Sequence, residues 1–280
     1  MGALVWDQIG EHDYETGTDH AVVYPYNSET KKYDNGAAWS GITGVTESPS
    51  GAEETALYAD NIKYLSLRSA EEFAQTVTAY TYPKEFAKLD GSDFPTKGMR
   101  IYQQSRKTFG MSYRTILGND TEGNDHGYKL HLIYGLTASP SERTYSTVND
   151  SPEANEFSWE MQGVPVPITG YKNTCLVTID SVDFVTETER EHLQDLLDVL
   201  YGKDGVITYD VVSDPEAGSN PSELGWYERT GTEGHYVYTL SEDTTVDAQK
   251  IYCVKTETGG QEPRLPLPDE VKQILEGVAG

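Results

Sequence analysis

Only two cysteines, Cys175 and Cys253, occur in 280 residues. That is too few for a disulfide framework or a four-ligand metal site, so both are expected to be reduced and structural. No apolar run approaches the ~20 residues of a membrane-spanning helix. The first twenty residues hold five acids and no Lys or Arg, which excludes the charged start and apolar middle of a signal peptide. Trp6 stands where a myristoylation signal needs Ser or Thr, so Gly2 is not an acyl acceptor. The chain is therefore expected to have no membrane anchor and to remain in the cytosol where it is made. Positive charge is scarce too. With 21 basic against 46 acidic side chains and a net charge of −25, a sequence-specific reader of nucleic acid is disfavoured, because phosphate contacts need clustered Lys and Arg.

Signatures of catalysis are missing as well. There is no Walker loop, GxGxxG turn, GxSxG elbow, HExxH helix or paired CxxC, and no cofactor is implied. The six histidines are His12, His20, His126, His131, His192 and His235. Only His126 and His131 are near one another, one in a loop and one in an expected strand, a spacing that defines no ligand pair. Asp120, Glu122 and Asp125 in GNDTEGNDHG (118–127) lack the twelve-residue order and closing Glu of a calcium loop, and a solvated hairpin loop explains them better. Among 46 acids the sequence singles out no pair for glycoside hydrolysis.

What is present is β-forming. Twenty tyrosines, recurrent Thr and Val, and Gly or Pro at roughly ten-residue intervals indicate a mainly β fold. In 155–162, Phe157, Trp159 and Met161 alternate with Glu156, Ser158, Glu160 and Gln162, the period-two pattern of a half-buried strand. Cys175, Val177 and Ile179 alternate likewise. Further strands are expected at 74–82, 98–104, 108–117 and 128–136, the last two joined as a hairpin through 118–127. Thr186 and Glu189 form a capping box ahead of Leu193, Leu196, Leu197 and Leu200, with Gly202 as the C-cap, so 186–202 is a helix packing its leucine stripe on a sheet. Ser69 and Glu72 predict a second, short helix carrying Ala70 and Phe73. A third is expected over 269–277.

Charge is unevenly spread. Residues 51–150 hold 13 acids and 11 bases, whereas 151–280 hold 25 acids and 8 bases. Acidity of this kind keeps a protein soluble; it also repels DNA. Residues 206–259, with ten acids and three bases, form a small β unit from VITYDVV, HYVYTL and KIYCVK. Such a composition suits solvent more than burial within another domain.

Several stretches together resemble the major tail tube proteins of long-tailed bacteriophages, particularly those of Gram-positive hosts. They are GITGVTESPSGAEETALYADNIKY (41–64), YTYPKEF (80–86), QQSRKTFGMSYRTILGND (103–120), 126–165, TCLVTID (174–180), YGKDG (201–205) and PRLPLPDEV (263–271). In that family a short acidic linker separates the YGxDG and RLPLP segments, whereas here 206–259 intervene. The resemblance implies a β-sandwich or barrel with a flanking helix, built from 1–205 plus 260–280, with 206–259 as an inserted, outward-facing β appendage. It also implies a non-enzymatic virion subunit, assembled in the host cytoplasm, whose hexameric rings close through edge strands and stack into a DNA-conducting channel. The implied partners are further copies of itself and the tape measure, terminator and baseplate proteins, with DNA passing through unbound.

Within that expectation the long segment 47–66 joins one ring to the next. Its mixed polarity nominates Glu53, Glu54, Leu57, Tyr58, Asn61 and Tyr64 as contacts. Glu156 and Glu160, on the wet face of the clearest strand, are lumen candidates, unless that face lies on the outside of the tube. A different class of function is a monomeric β-sandwich binding module, for glycans for example, that uses the tyrosines and four tryptophans. Aromatics are also ordinary core residues, and a cytosolic start counts against an extracellular module. An enzyme has no motif in support.

Overall fold

The computed structural model describes residues 4–145, 147, 154–213, 215–216, 219–233, 235–247 and 249–278. Strand accounts for 47% and helix for 11%, which makes the fold mainly β. The chain divides into two compact units, 1–201 with 262–280, and 202–261.

The first unit is organised by a nine-stranded antiparallel sheet. Its order runs Lys32–Tyr33, Tyr14–Asn27, Phe109–Asn119, Gly123–Ala138, Phe157–Gly163, Ala74–Ala79, Ile42–Glu47; Leu176–Asp180 and Ala37–Ala38 pair off this path. Gly123–Ala138 serves two neighbours in succession. Lys129–Ile133 pair with Leu176–Asp180, and Leu136–Ala138 pair with Phe157–Gly163. The switch falls at Gly135, whose φ of 64° suits glycine, and where a Cβ would sit 2.2 Å from the Val164 carbonyl oxygen. Any side chain there would push the two partners apart.

Both faces of the central strands are buried, which explains their unbroken apolar runs. Val23, Met111 and Ile133 are paired in register and face one core. Because Val77, Trp159 and Met161 from the far strands share that core, the sheet curls over its own inner face. Trp39, Phe86 and Leu89 fill the space between. Phe86 belongs to the short helix α1 (Lys84–Ala87). On the opposite face, Val22, Tyr24, Leu130, Leu132 and Tyr134 meet Leu193, Leu196 and Leu200 of α2 (Glu187–Tyr201), together with Leu265 and Val271, the last from α3 (Pro268–Leu275). Two buried tyrosine hydroxyls find carbonyl partners here: Tyr24 donates to that of Leu200 at 2.8 Å and Tyr134 to that of Pro266 at 3.0 Å.

The α2 capping box forms as its sequence specifies. Glu189 N–H donates to Thr186 Oγ1 at 3.3 Å, and Thr186 N–H donates to Glu189 Oε2 at 2.8 Å. The helix expected from Ser69 does not exist. Ser69 N–H bonds the Glu53 carbonyl, and Glu71–Glu72 pair as a strand with Ser50–Gly51. A capping pattern with one turn of helix behind it cannot offset the cost of nucleation, and strand pairing satisfies the same backbone groups. The hairpin turn anticipated over 118–127 contracts to Asp120–Glu122, since Asn119 already pairs with Gly123.

The second unit is a four-stranded antiparallel sheet ordered Val206–Val211, Ile251–Thr258, Tyr227–Thr232, His235–Leu240. The stretch YERTGT, with no alternating pattern, was not legible as a strand; it is drafted by its neighbours on either side. Tyr209 and Tyr238 stack at 3.9 Å, and Tyr252 and Cys253 are buried. Lys203 and Gln261 exchange backbone hydrogen bonds of 2.9 and 2.8 Å, so the unit is pinned shut where its chain enters and leaves. Among the described residues no helix is long and apolar enough to cross a membrane.

Candidate assembly surfaces

The segment nominated as a contact loop is a β arm. Strands Ile42–Glu47 and Ala74–Ala79 pair in the sheet and then continue outward as one ribbon. Ser48 N–H bonds the Ala74 carbonyl, Ser50–Gly51 pair with Glu71–Glu72, and Glu54–Ala59 pair with Ile62–Arg68. At about 3.3 Å per residue, the ribbon carries the tip on the order of 35 Å from Ser48. Asp60 and Asn61 turn it, both with positive φ (52° and 63°), the two-residue geometry that Asn and Asp favour. Asn61 therefore shapes the arm, and Glu53 lies partway along it, its carbonyl accepting from Ser69 N–H.

The register sorts the arm into two faces. Thr55, Leu57, Leu65 and Leu67 fall on one; Glu54, Ala56, Ser66 and Arg68 fall on the other. Glu54 receives bonds of 2.5 Å from both Lys63 and Ser66, and Arg68 lies 3.7 Å away. Lys63, then Ser66, hold its carboxyl below the usual carboxylate range. A bulge between Leu57 and Tyr58 leaves Tyr64 without a cross-strand partner. Leu57, Tyr58, Ile62, Tyr64, Leu65 and Leu67 are all exposed, Tyr58 at 72% and Tyr64 at 69%. Among the described residues the arm sheet has no third strand. An isolated two-stranded hairpin is marginal in water, and this one shows a leucine-rich face with nothing laid over it. Sequence reading found Leu57, Tyr58 and Tyr64 but not Leu67, nor that Leu57 and Tyr58 point to opposite sides, because the bulge and register are not visible in composition.

Glu156 and Glu160 lie at the outer face of the three-stranded edge formed by Phe157–Gly163, Ala74–Ala79 and Ile42–Glu47. Ser158 and Glu160 sit opposite Thr78 and Thr76, and Thr76 sits opposite Thr46. The Thr43 hydroxyl donates to Glu156 and lies 2.8 Å from the Thr78 hydroxyl. The three strands contain no Lys or Arg, and this face carries Glu160 with the hydroxyls of Ser158, Thr76, Thr78 and Thr46. Gln75, Val77, Trp159 and Met161 point the other way into the core.

At the root of the arm, Glu47 meets His131. The imidazole stacks on Tyr113 with centroids 4.5 Å apart; its Nδ1 lies 3.5 Å from Glu47 and its Nε2 lies 3.6 Å from Glu15. Tyr113 donates to Glu47 at 2.7 Å. The His131 ring first, against the opposing pull of burial, and then the Tyr113 hydroxyl hold Glu47 below the usual carboxylate range.

Asp120 and Glu122 are occupied by protein partners. Asp120 accepts from Gly10 N–H at 2.9 Å and meets the His12 ring at 3.2 Å, while Glu122 meets His126 at 2.9 Å. Among the described residues no three His, Cys, Asp or Glu side chains gather as a metal site. Cys175 and Cys253 are free and buried, and burial pushes both thiols up. No protein-family model matches the chain, and no curated protein matches it either.

Proposed function

We propose that this chain is the structural subunit of a phage tail tube, forming hexameric rings that stack into the DNA-conducting channel of the virion. The observation that carries the reading is the arm: a hairpin that continues the edge strands outward and leaves its leucine face bare. A patch of that kind on a soluble subunit marks a surface that another molecule covers, and a projecting ribbon suits a neighbour in the next ring. The acidic, Lys- and Arg-free face of the edge strands gives the lumen a lining that repels phosphate and keeps DNA mobile. The free side of Ile42–Glu47 gives rings an edge through which to close. Residues 202–261 are an appendage that the tube does not need. The sequence resemblance supports the same assignment independently.

Electron microscopy of the purified protein over a range of concentrations tests the reading. Hollow, axially periodic tubes are expected, and dispersed monomers at millimolar concentration would sink it. Within assembled virions, Glu156→Lys with Glu160→Lys should leave subunit folding intact and slow genome ejection. Ejection at the wild-type rate would remove these two residues from the lumen.

A further inference from the structure

One island of positive charge interrupts this acidic chain. Residues 84–107 carry six basic and three acidic side chains, the reverse of the overall balance. At its centre Asp90, whose side chain is 4% exposed, is shared by two guanidiniums: Arg100 at 3.0 and 3.2 Å and Arg143 at 2.8 Å. Among the described residues one carboxylate between two arginines leaves a positive charge unmatched. Arg143 lies over the rings of Tyr102, Tyr82 and Phe157 at 5.6, 5.7 and 5.9 Å, which fixes its plane and strips water from its faces.

A cavity of about 680 Å³ opens beside this cluster, lined by Arg143, Arg106, Tyr102, Tyr145, Ser141 and Trp159, among others. Among the described residues its charged lining is Asp90, already shared, with Arg106 and Arg143. Trp159 forms part of its wall. A cavity with surplus guanidinium charge and aromatic walls is complementary to a carboxylate, which guanidinium binds in a two-point geometry.

We propose that this cavity receives an acidic side chain from a second copy of the chain. The copy is the occupant that the charge distribution favours: the cavity sits in the net-basic stretch of a molecule whose other surfaces are acidic, α2 alone exposing Glu187, Glu191 and Asp195. The inference rests on the assembly reading and names one contact that assembly uses. Opposed charges of this sort fix which faces meet and in what register.

Arg106 is the probe, because it lines the cavity, is exposed and takes no part in the Asp90 cluster. Arg106→Glu should raise the minimum concentration for tube formation about tenfold or more at physiological ionic strength, with the isolated subunit's unfolding midpoint unchanged. Arg106→Lys should assemble, and the amine it introduces should be joined by a carbodiimide to a carboxylate. In tubes built from mixed isotope-labelled and unlabelled subunits, mass spectrometry should find that link between copies. Wild-type tubes accompanied by unchanged assembly of Arg106→Glu, or by links confined to one copy, would overturn this inference alone. Failure of the wild-type protein to form tubes would overturn the assembly reading and this contact with it.

Discussion

Ala74–Ala79 and Ile62–Arg68 belong to one return strand of the same ribbon, yet they sit in opposite environments. In the body, Gln75, Val77 and Ala79 are buried and alternate with half-exposed residues; in the arm every position from Ile62 to Arg68 is exposed, although it carries Ile62, Tyr64, Leu65 and Leu67. Apolar content therefore does not set burial here. What differs is the opposing surface: the body strand packs against Trp39 and Met111, and no described residue covers the arm's leucine face. The body draws its stability from packing, while under the proposed assembly a neighbour would complete the arm's ordering.

The largest test of that contrast lies in the body. Trp159 is buried against Trp39, Tyr82 and Phe86, with centroids 5.3, 5.2 and 5.4 Å away. Trp159→Ala should destabilise the subunit by about 3–5 kcal/mol in urea unfolding. A loss below about 1 kcal/mol would mean that this aromatic cluster is not the centre of the core.

These residues also show what the sequence made legible. Phe157, Trp159 and Met161 announce a half-buried strand because period-two alternation is a local property, and the Thr186–Glu189 box announces α2 for the same reason. The Ser69 helix fails because a local cap signal competes with pairing to Ser50–Gly51, a contact some twenty residues away in sequence. The arm's length and apolar content are visible in the sequence, and the structure leaves Leu57, Tyr58 and Tyr64 exposed on it. Its division into faces depends on a bulge, and a slip of one residue inverts every side chain. Asp90, Arg100 and Arg143 escaped notice because 53 residues separate Asp90 from Arg143 and only the fold brings them together.

Excising the second unit probes the contrast at a different boundary. The Arg264 N–H bonds the Val199 carbonyl at 2.8 Å, so the chain leaves and re-enters the first unit at neighbouring points, and a short closing loop costs little entropy. Replacing 202–261 by a Gly-Ser linker should retain a cooperative unfolding transition and tube formation. Loss of the fold would show that the first unit depends on its insertion.

A smaller effect is expected where body and arm join. The folded-state carboxyl of Glu47 is held below its ordinary value of 4.5, so the stabilisation is present above about pH 4.5 and is lost as pH falls through the lower folded value. Glu47→Gln should cost about 1 kcal/mol at pH 7, discounted for the partial exposure of the carboxylate. The difference from wild type should shrink as pH falls below 4.5. A pH-independent difference would assign the loss to packing instead of charge.

The smallest effect on folding should accompany the complete loss of assembly. Leu57 and Leu65 are cross-strand partners on the bare face of the arm, and neither supports the body core. Leu57→Ser with Leu65→Ser should shift urea stability by no more than about 0.5 kcal/mol, since substitutions on exposed positions remove little buried area. Under the proposed assembly the same double variant should form no tubes, because the face that a neighbour would cover has lost its apolar area. Tyr58→Ser, on the opposite face beside the Glu54 ion pairs, serves as the internal control and should still assemble. Normal tubes from the double serine variant, or failure of Tyr58→Ser alone, would move the contact from the leucine face to the charged one.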